Sequence, residues 1–408
     1  MSVLKNNILT KAEVFLLAIV LSTIFFKHSL SSLIMGIFIL YSLYISLSTK
    51  RKFELDKNFI LPISLYLLFI LSVFWTQDLE LTLKGLGRTV VLILLPLVFS
   101  FKMKISKQQL SEIFNIFSYS NFFFGLIFIA DATVRSAAHK NISAFFYHDF
   151  VSVLDLNAIY VSSFFYISTI FLVFKKNKSK YDLFVILTLL VLIVILSSKV
   201  ITLITLLSLL FYFIKNKKSR LRLLIIVPIS IIILYFTSGN LIDRIKDESQ
   251  TNLKEVFNCE DFTKVYPWTG TSIRLLQLRI LQDQIEEDGI LINGFGLFAS
   301  RKSIEAHHKE LNIYNGFYDY NYHNLYAQML SELGLIGLTI LILQLYVLIR
   351  LSISKNYTWL SLVSIMFLFW FFTESVLWVQ RGLFIFIVIY CIVVKLENNK
   401  INSDQLNI

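Results

Sequence analysis

Long apolar runs separated by short basic segments fill the chain up to residue 237 and return after residue 324. A helix crossing a bilayer needs roughly 20 mostly apolar residues, because each residue rises about 1.5 Å through a hydrocarbon core about 30 Å thick. Twelve segments approach that requirement, near 13–26, 29–48, 59–75, 86–101, 113–131, 151–174, 182–197, 200–214, 223–237, 325–349, 357–372 and 382–396. The first, seventh, eighth and twelfth are short. Between the ninth and tenth lies one long polar stretch. The pattern predicts an all-α polytopic membrane protein with about twelve transmembrane helices. It divides into a bundle of about nine spans over 1–237, a large loop over 238–323, and about three spans with a short tail over 324–408.

Composition agrees with that class, since 56% of the 408 residues are hydrophobic and the mean hydropathy is +0.70. No small-residue cleavage site follows Phe26, only Lys27, His28 and another apolar run, so the first segment reads as a span and not as a cleaved signal. Lysine and arginine set the orientation. With the N-terminus in the cytoplasm, the inner segments carry Arg51 and Lys52, Lys102 and Lys104, Lys175 to Lys180, and Lys215 to Arg222. That bias is what the positive-inside rule requires. Both termini then lie in the cytoplasm and the large loop lies outside. The formal charge of +11 is mostly topology, and no nucleic-acid partner is expected.

Basic residues that break the bias carry more information. Arg88, Lys199, Arg274 and Arg381 all fall at the outer face. A charge deep in a span costs roughly 2.5–3.5 kcal/mol on insertion scales, so such residues usually have partners. Two readings stand for each: an anchor to lipid headgroups, or one member of a set converging on a polyanion such as a lipid diphosphate. Charge-assisted hydrogen bonds contribute roughly 1.5–3 kcal/mol each, so two or three suffice to fix such a group.

Within the loop, Thr271 or Ser272 is positioned to cap a helix that runs to Glu287 and ends at Gly289. Its apolar stripe of Ile273, Leu276, Ile280, Leu281 and Ile285 is suited to lying on the bilayer surface. Gly294 and Gly296 permit a tight turn back to the membrane. Tyr314, Tyr318, Tyr320 and Tyr322 either stack on sugars or form an interfacial aromatic belt. After them come His323 and Asn324, and Asn324, Gln328 and Glu332 recur every four residues on one helix face. Gly334 and Gly337 allow close packing, and Glu374 is a second carboxylate at membrane depth. An ion pair between either glutamate and a nearby arginine is the plain structural alternative to a catalytic role.

These blocks together resemble the O-antigen ligase and polymerase superfamily of bacterial inner-membrane proteins. The resemblance rests on SVFWTQDLELTLKGLGRTVVLILL, LSSKVITLITL, TGTSIRLLQLRILQ with GILINGFGLF, YHNLYAQMLSELGLIGL and FTESVLWVQRGLFIF, and is most specific in His-Asn…Glu-x-Gly-x-x-Gly. It implies a GT-C-like membrane glycosyltransferase with a periplasmic loop. Such an enzyme moves a glycan from undecaprenyl diphosphate to a lipid A–core or similar acceptor, without metal or other cofactor. In a polymerase the acceptor is another lipid-linked repeat unit. Arg274 matches the family's loop arginine and His323 its loop histidine. Lys199 stands where arginine is usual, and an ammonium lacks the planar fork that grips phosphate at two points. The chemistry is coherent: Arg88, Lys199, Arg274 and Arg381 for the donor diphosphate, His323 as base towards the acceptor hydroxyl, and Asn324, Gln328, Glu332 and Glu374 as support or acceptor contacts. A histidine that only bonds sugar or backbone is the alternative for His323.

Two further classes compete. A twelve-span transporter or flippase of lipid-linked sugars would commonly place its main loop inside, between spans six and seven, and would show an internal repeat; neither is seen. A non-catalytic assembly subunit would tolerate loss of His323 and Arg274 together. Cys259 and Cys391 lie in the loop and the last span, too far apart in context for a disulfide or a metal cluster.

Overall fold

The computed structural model describes residues 9–216, 253–262 and 266–398, and within these the chain is helical with no strand. Eleven of the twelve predicted segments coincide with helices; the ninth, 223–237, lies outside the described residues, as do Lys217 to Arg222 and the loop up to residue 252. In order come α1 (Lys11–Ser22), α2 (His28–Ser48), α3 (Ile60–Leu71), α4 (Leu79–Thr89), α5 (Val91–Phe99), α6 (Lys107–His139), α7 (Ala158–Phe174), α8 (Lys180–Ile195) and α9 (Lys199–Lys215). The loop holds α10 (Leu253–Asn258), α11 (Gly270–Glu287) and α12 (Ser300–Glu310). The chain then returns through α13 (Leu325–Ser354), α14 (Thr358–Trp370) and α15 (Gln380–Lys395).

Among the described residues, five helices are long and apolar enough to cross a membrane: α2, Lys57–Phe74 around α3, Leu79–Phe99 through α4 and α5, α6 and α13. Two shorter apolar ones are α7 and α14. At its 33 residues α6 is about 50 Å long, so it overshoots a hydrocarbon core. A capping box at Ser106 and Gln109 starts it well before the predicted 113, and its last turns carry the Asp131–Arg135 ion pair at 2.7 Å. The predicted segment 151–174 becomes helical only at Ala158, where Asn157 caps α7. Two helices form the centre of the bundle: α7 is buried from Ala158 to Val173, and α15 from Gly382 to Val394.

At the lysine-rich end, the helix termini are tied by polar contacts. The Lys355 ammonium donates to the carbonyls of Val393, Val394 and Leu396 at 2.7–2.9 Å, neutralising the end of α15. Glu13 of α1 accepts two bonds from the Arg51 guanidinium, at 2.7 and 2.9 Å, and both side chains are almost entirely buried.

The loop has its own apolar core, built from Phe262, Ile273, Leu276, Ile280, Ile304, Ile313 and neighbours. Ile273, Leu276, Ile280 and Leu281 of α11 therefore face this core and not lipid. Arg279 turns inward too, donating to the carbonyls of Val256 and Cys259 at 3.1 and 2.6 Å. The cap is Thr269, in a capping box with Ser272, two residues before the expected Thr271. His308 of α12 is fully buried in the loop, where the Gln277 amide donates to its Nε2 at 2.9 Å. Burial pushes its pKa down to about 4 from 6.5.

Two predictions arise. Arg51→Ala strands the Glu13 carboxylate in the core and is expected to cost about 3–5 kcal/mol, read as a lower melting temperature in detergent. Glu13→Gln/Arg51→Met should recover part of the loss; an unshifted melting temperature for Arg51→Ala refutes the assignment. For His308, the unfolded chain binds more protons between pH 4 and 6.5, so its stabilising contribution is complete above pH 6.5 and is lost as pH falls towards 4. The loop should lose about 2 kcal/mol between pH 7.5 and pH 5, measured by limited proteolysis. His308→Gln should lack that component, and an unchanged pH profile in the variant counts against it.

Candidate active site at the loop–membrane junction

The site begins with a broken helix. Inside α13, Gly334 adopts φ 63° and ψ −163°, which interrupts the helical hydrogen bonding. A helix at membrane depth cannot leave its freed backbone groups without partners. Here the loop segment 291–296 supplies them. Phe295 N–H donates to the Ser331 carbonyl at 2.9 Å and Gly296 N–H to the Glu332 carbonyl at 2.8 Å, while Leu335 N–H donates to the Leu291 carbonyl at 2.8 Å. A Cβ at Gly334 would overlap the Ile292 carbonyl, and one at Gly294, also at positive φ, would overlap the Glu332 peptide. Both glycines are thus required by the approach of two backbones. Gly296 lies against Thr76, and the space beside Gly337 is filled by Leu333 of the same helix, not by a neighbouring helix as the sequence suggested.

The other side of the segment is fixed to the first half of the bundle. The Trp75 indole donates to the Asn293 carbonyl at 2.9 Å, Gln77 N–H to the Phe295 carbonyl at 3.0 Å, and Thr82 Oγ1 to the Leu297 carbonyl at 2.8 Å. Residues more than 200 positions apart meet here.

Glu332 is the buried node of the junction. Its carboxylate accepts from Phe298 N–H at 2.6 Å, Ser300 Oγ at 2.9 Å and the Trp378 indole at 3.1 Å, and from Gln328 Nε2. Gln328 Oε1 in turn accepts from Ser375 Oγ at 3.2 Å. The face shared by Gln328 and Glu332 therefore points into protein, joining α13, the loop and the α14–α15 turn. Asn324 is the N-cap of α13, accepting from the N–H groups of Tyr326 and Ala327. Tyr322 is fully buried, its hydroxyl set between Gln284 Oε1 and Ser331 Oγ, so it is not available to stack on a sugar.

Next to this node, one carboxylate holds two predicted site residues together. Glu374 Oε2 is 3.5 Å from His323 Nδ1, and Glu374 Oε1 is 3.4 Å from Arg274 Nη2. Arg274 is further aimed by the carbonyls of Thr373, at 3.1 Å from Nη2, and Gly270, at 2.7 Å from Nη1. His323 sits at φ 45°, with its N–H bonded to Asn321 Oδ1 at 2.8 Å and its ring 5.1 Å from that of Tyr320. The Glu374 side chain is 6% exposed, while those of Arg274 and His323 are 30% and 23% exposed. The two functional groups reach solvent and their organiser does not. His323 Nδ1 lies within ion-pairing distance of that carboxylate without a hydrogen bond to it.

The remaining cations gather elsewhere. Arg381 donates to the carbonyls of Ile24 at 2.9 Å and Phe26 at 3.2 Å, and Arg88 is exposed with its guanidinium 5.8 Å from the Phe298 ring. Both lie within electrostatic reach of His28. Phe298 N–H binds Glu332, so this second basic group adjoins the same node. Lys199 opens α9, its ammonium shielded from solvent. Arg274, His323 and Glu374 thus form one group, and Arg88 and Arg381 another. Among the described residues no three His, Cys, Asp or Glu side chains are placed to hold a metal ion. Ser300, Ser375, Trp378 and Gln284 were not singled out from the sequence. Gly334→Ala is expected to detach segment 291–296, raising the protease sensitivity of residues 266–324 at least tenfold, the equivalent of about 1.4 kcal/mol, while the helices remain inserted. Sensitivity equal to wild type would remove this account of the junction.

No curated protein matches the chain. A family model described as O-Antigen ligase matches residues 183–342, a stretch that runs from α8 through the loop to the break in α13 and contains Arg274, His323 and Glu332. Over that stretch, this multi-helix chain is similar to the O-antigen ligase family.

Proposed function

We propose that the protein is an O-antigen ligase-type glycosyltransferase, moving a polysaccharide from undecaprenyl diphosphate to a lipid A–core or similar acceptor at the periplasmic face of the bacterial inner membrane. One observation carries the reading: His323 and Arg274, from separate parts of the loop, meet on the buried Glu374 and remain open to solvent. In this reaction the acceptor oxygen bonds the anomeric carbon as the bond from that carbon to the diphosphate oxygen breaks. The electron pair leaves with the diphosphate, and the acceptor proton passes to His323 Nε2. A diphosphate is already a good leaving group, so stabilising its charge matters more than protonating it. Arg274 is assigned to that charge, with Arg88, Arg381 and Lys199 supplying positive potential along the lipid carrier. No metal or cofactor takes part.

The topology that goes with this reading has about twelve spans, both termini in the cytoplasm, and residues 238–323 in the periplasm. The lysine-rich helix ends and the loop junction then fall on opposite faces. A polymerase of the same superfamily would use the same groups with a second lipid-linked repeat as acceptor.

His323→Ala should insert and melt like wild type yet lose transfer by about 10²–10⁴-fold in a purified assay with lipid-linked donor. Arg274→Ala should retain fold and show weakened donor use. Full transfer by either variant overturns its assignment. In a deletion strain, surface glycan electrophoresis should show lipid A–core without long chains while lipid-linked polymer accumulates. A single repeat on the core would instead identify a polymerase.

A further inference from the structure

A second hollow lies at the opposite, lysine-rich end of the bundle. It is a cavity of about 560 Å³ between the ends of α6, α7, α9 and α14. Lys107, Lys175, Lys176 and Lys215 line it, and among the described residues no carboxylate does. Lys175 is paired outside the cavity, 3.0 Å from the buried Asp182, and Lys107 also has a partner, so the rim's outward charge lies on the exposed Lys176 and Lys215. A topological bias towards lysine requires only that these residues lie on one side of the membrane. It does not require three helix ends to bring them to a single hollow.

The floor is as informative as the rim. Phe171, Tyr357 and Trp359 are buried there, with Phe174 beside them. They are set by ring contacts: Trp359 lies 5.2 Å from Phe171 and 4.7 Å from Phe114. Cationic rim and apolar floor together match an amphiphile, with its anionic head at the lysines and its first methylenes on the rings. A soluble anion gains nothing from an aromatic floor. Beside Lys215, the outer face of α9 exposes Phe211 and Ile214, 44% and 69% accessible, so hydrocarbon chains leaving the cavity have an apolar surface to follow. Amide and hydroxyl groups of Asn177, Asn216 and Thr358 complete a lining able to bond phosphate or glycerol oxygens.

We propose that this cavity binds the phosphate headgroup of an anionic glycerophospholipid from the surrounding bilayer. Basic pockets between membrane helices are suited to such lipids, each lysine near the surface strengthening the attraction. The site is separate from the transfer reaction and stands whether or not the glycosyltransferase reading does.

The test uses the full chain, purified in detergent, stripped of lipid and titrated with phosphatidylglycerol, with binding read by native mass spectrometry. Lys176→Gln/Lys215→Gln removes two exposed cations from the rim and should weaken binding about tenfold or more. Lys52→Gln/Lys104→Gln removes the same charge from the same end outside the cavity and should leave binding within about twofold of wild type. Lys176→Arg/Lys215→Arg should retain it. Phosphatidylcholine should bind far more weakly, and millimolar inorganic phosphate should not displace the lipid. Equal losses in the two glutamine variants would reduce the effect to general charge and overturn the site. Displacement by free phosphate, preference for a polyprenyl phosphate, or cavity-dependent binding of a nucleotide would each overturn the assigned occupant.

Discussion

The junction depends on an unsatisfied backbone. A helix broken at Gly334 exposes carbonyl and N–H groups where neither water nor lipid can be relied on to satisfy them, and segment 291–296 bonds them instead. The same segment is held by Trp75, Gln77 and Thr82 on its other edge. One short stretch of turns thus closes two halves of the bundle. Without it, the loop would keep only side-chain contacts to the helices, such as those on Glu332 and Glu374.

Charge is organised around that closure in two tiers. Glu332 is fully buried and surrounded by donors from three segments, so it acts as a clamp and not as a group offered to substrate. Glu374 is buried as well, but its partners reach outward. Its contacts, 3.4 and 3.5 Å, are electrostatic attractions longer than ordinary hydrogen bonds. In the proposed reaction that looseness is useful. A donor diphosphate, carrying more charge than one carboxylate, can draw the Arg274 guanidinium towards itself while the Thr373 and Gly270 carbonyls continue to aim it.

Sequence periodicity and hydropathy located the helices because apolar length is a local property. They failed where a partner distant in the chain decides. The stripe on α11 read as lipid-facing, since nothing nearby in sequence indicates that Phe262, Ile304 and Ile313 form a core for it. Tyr322 read as either a sugar platform or part of an interfacial belt, although Gln284 and Ser331 bury its hydroxyl. Gly334 was noticed for helix packing, whereas its real work is to break the helix, a distinction that only its φ reveals. Arg274, His323 and Glu374 were all identifiable by chemistry. A glutamate–arginine ion pair was anticipated as the structural alternative, but not that Arg274 and Glu374 would form it, because 100 residues separate them.

The closure of segment 291–296 also sets an order of events during synthesis. Its partners Trp75 and Gln77 leave the ribosome more than 200 residues earlier, and those on α13 leave it later. The nascent segment must therefore wait until α13 has been made. The group of Arg274, His323 and Glu374 is thus completed late in translation, and a chain released short of Glu374 would carry most of the apolar helices without ever acquiring it.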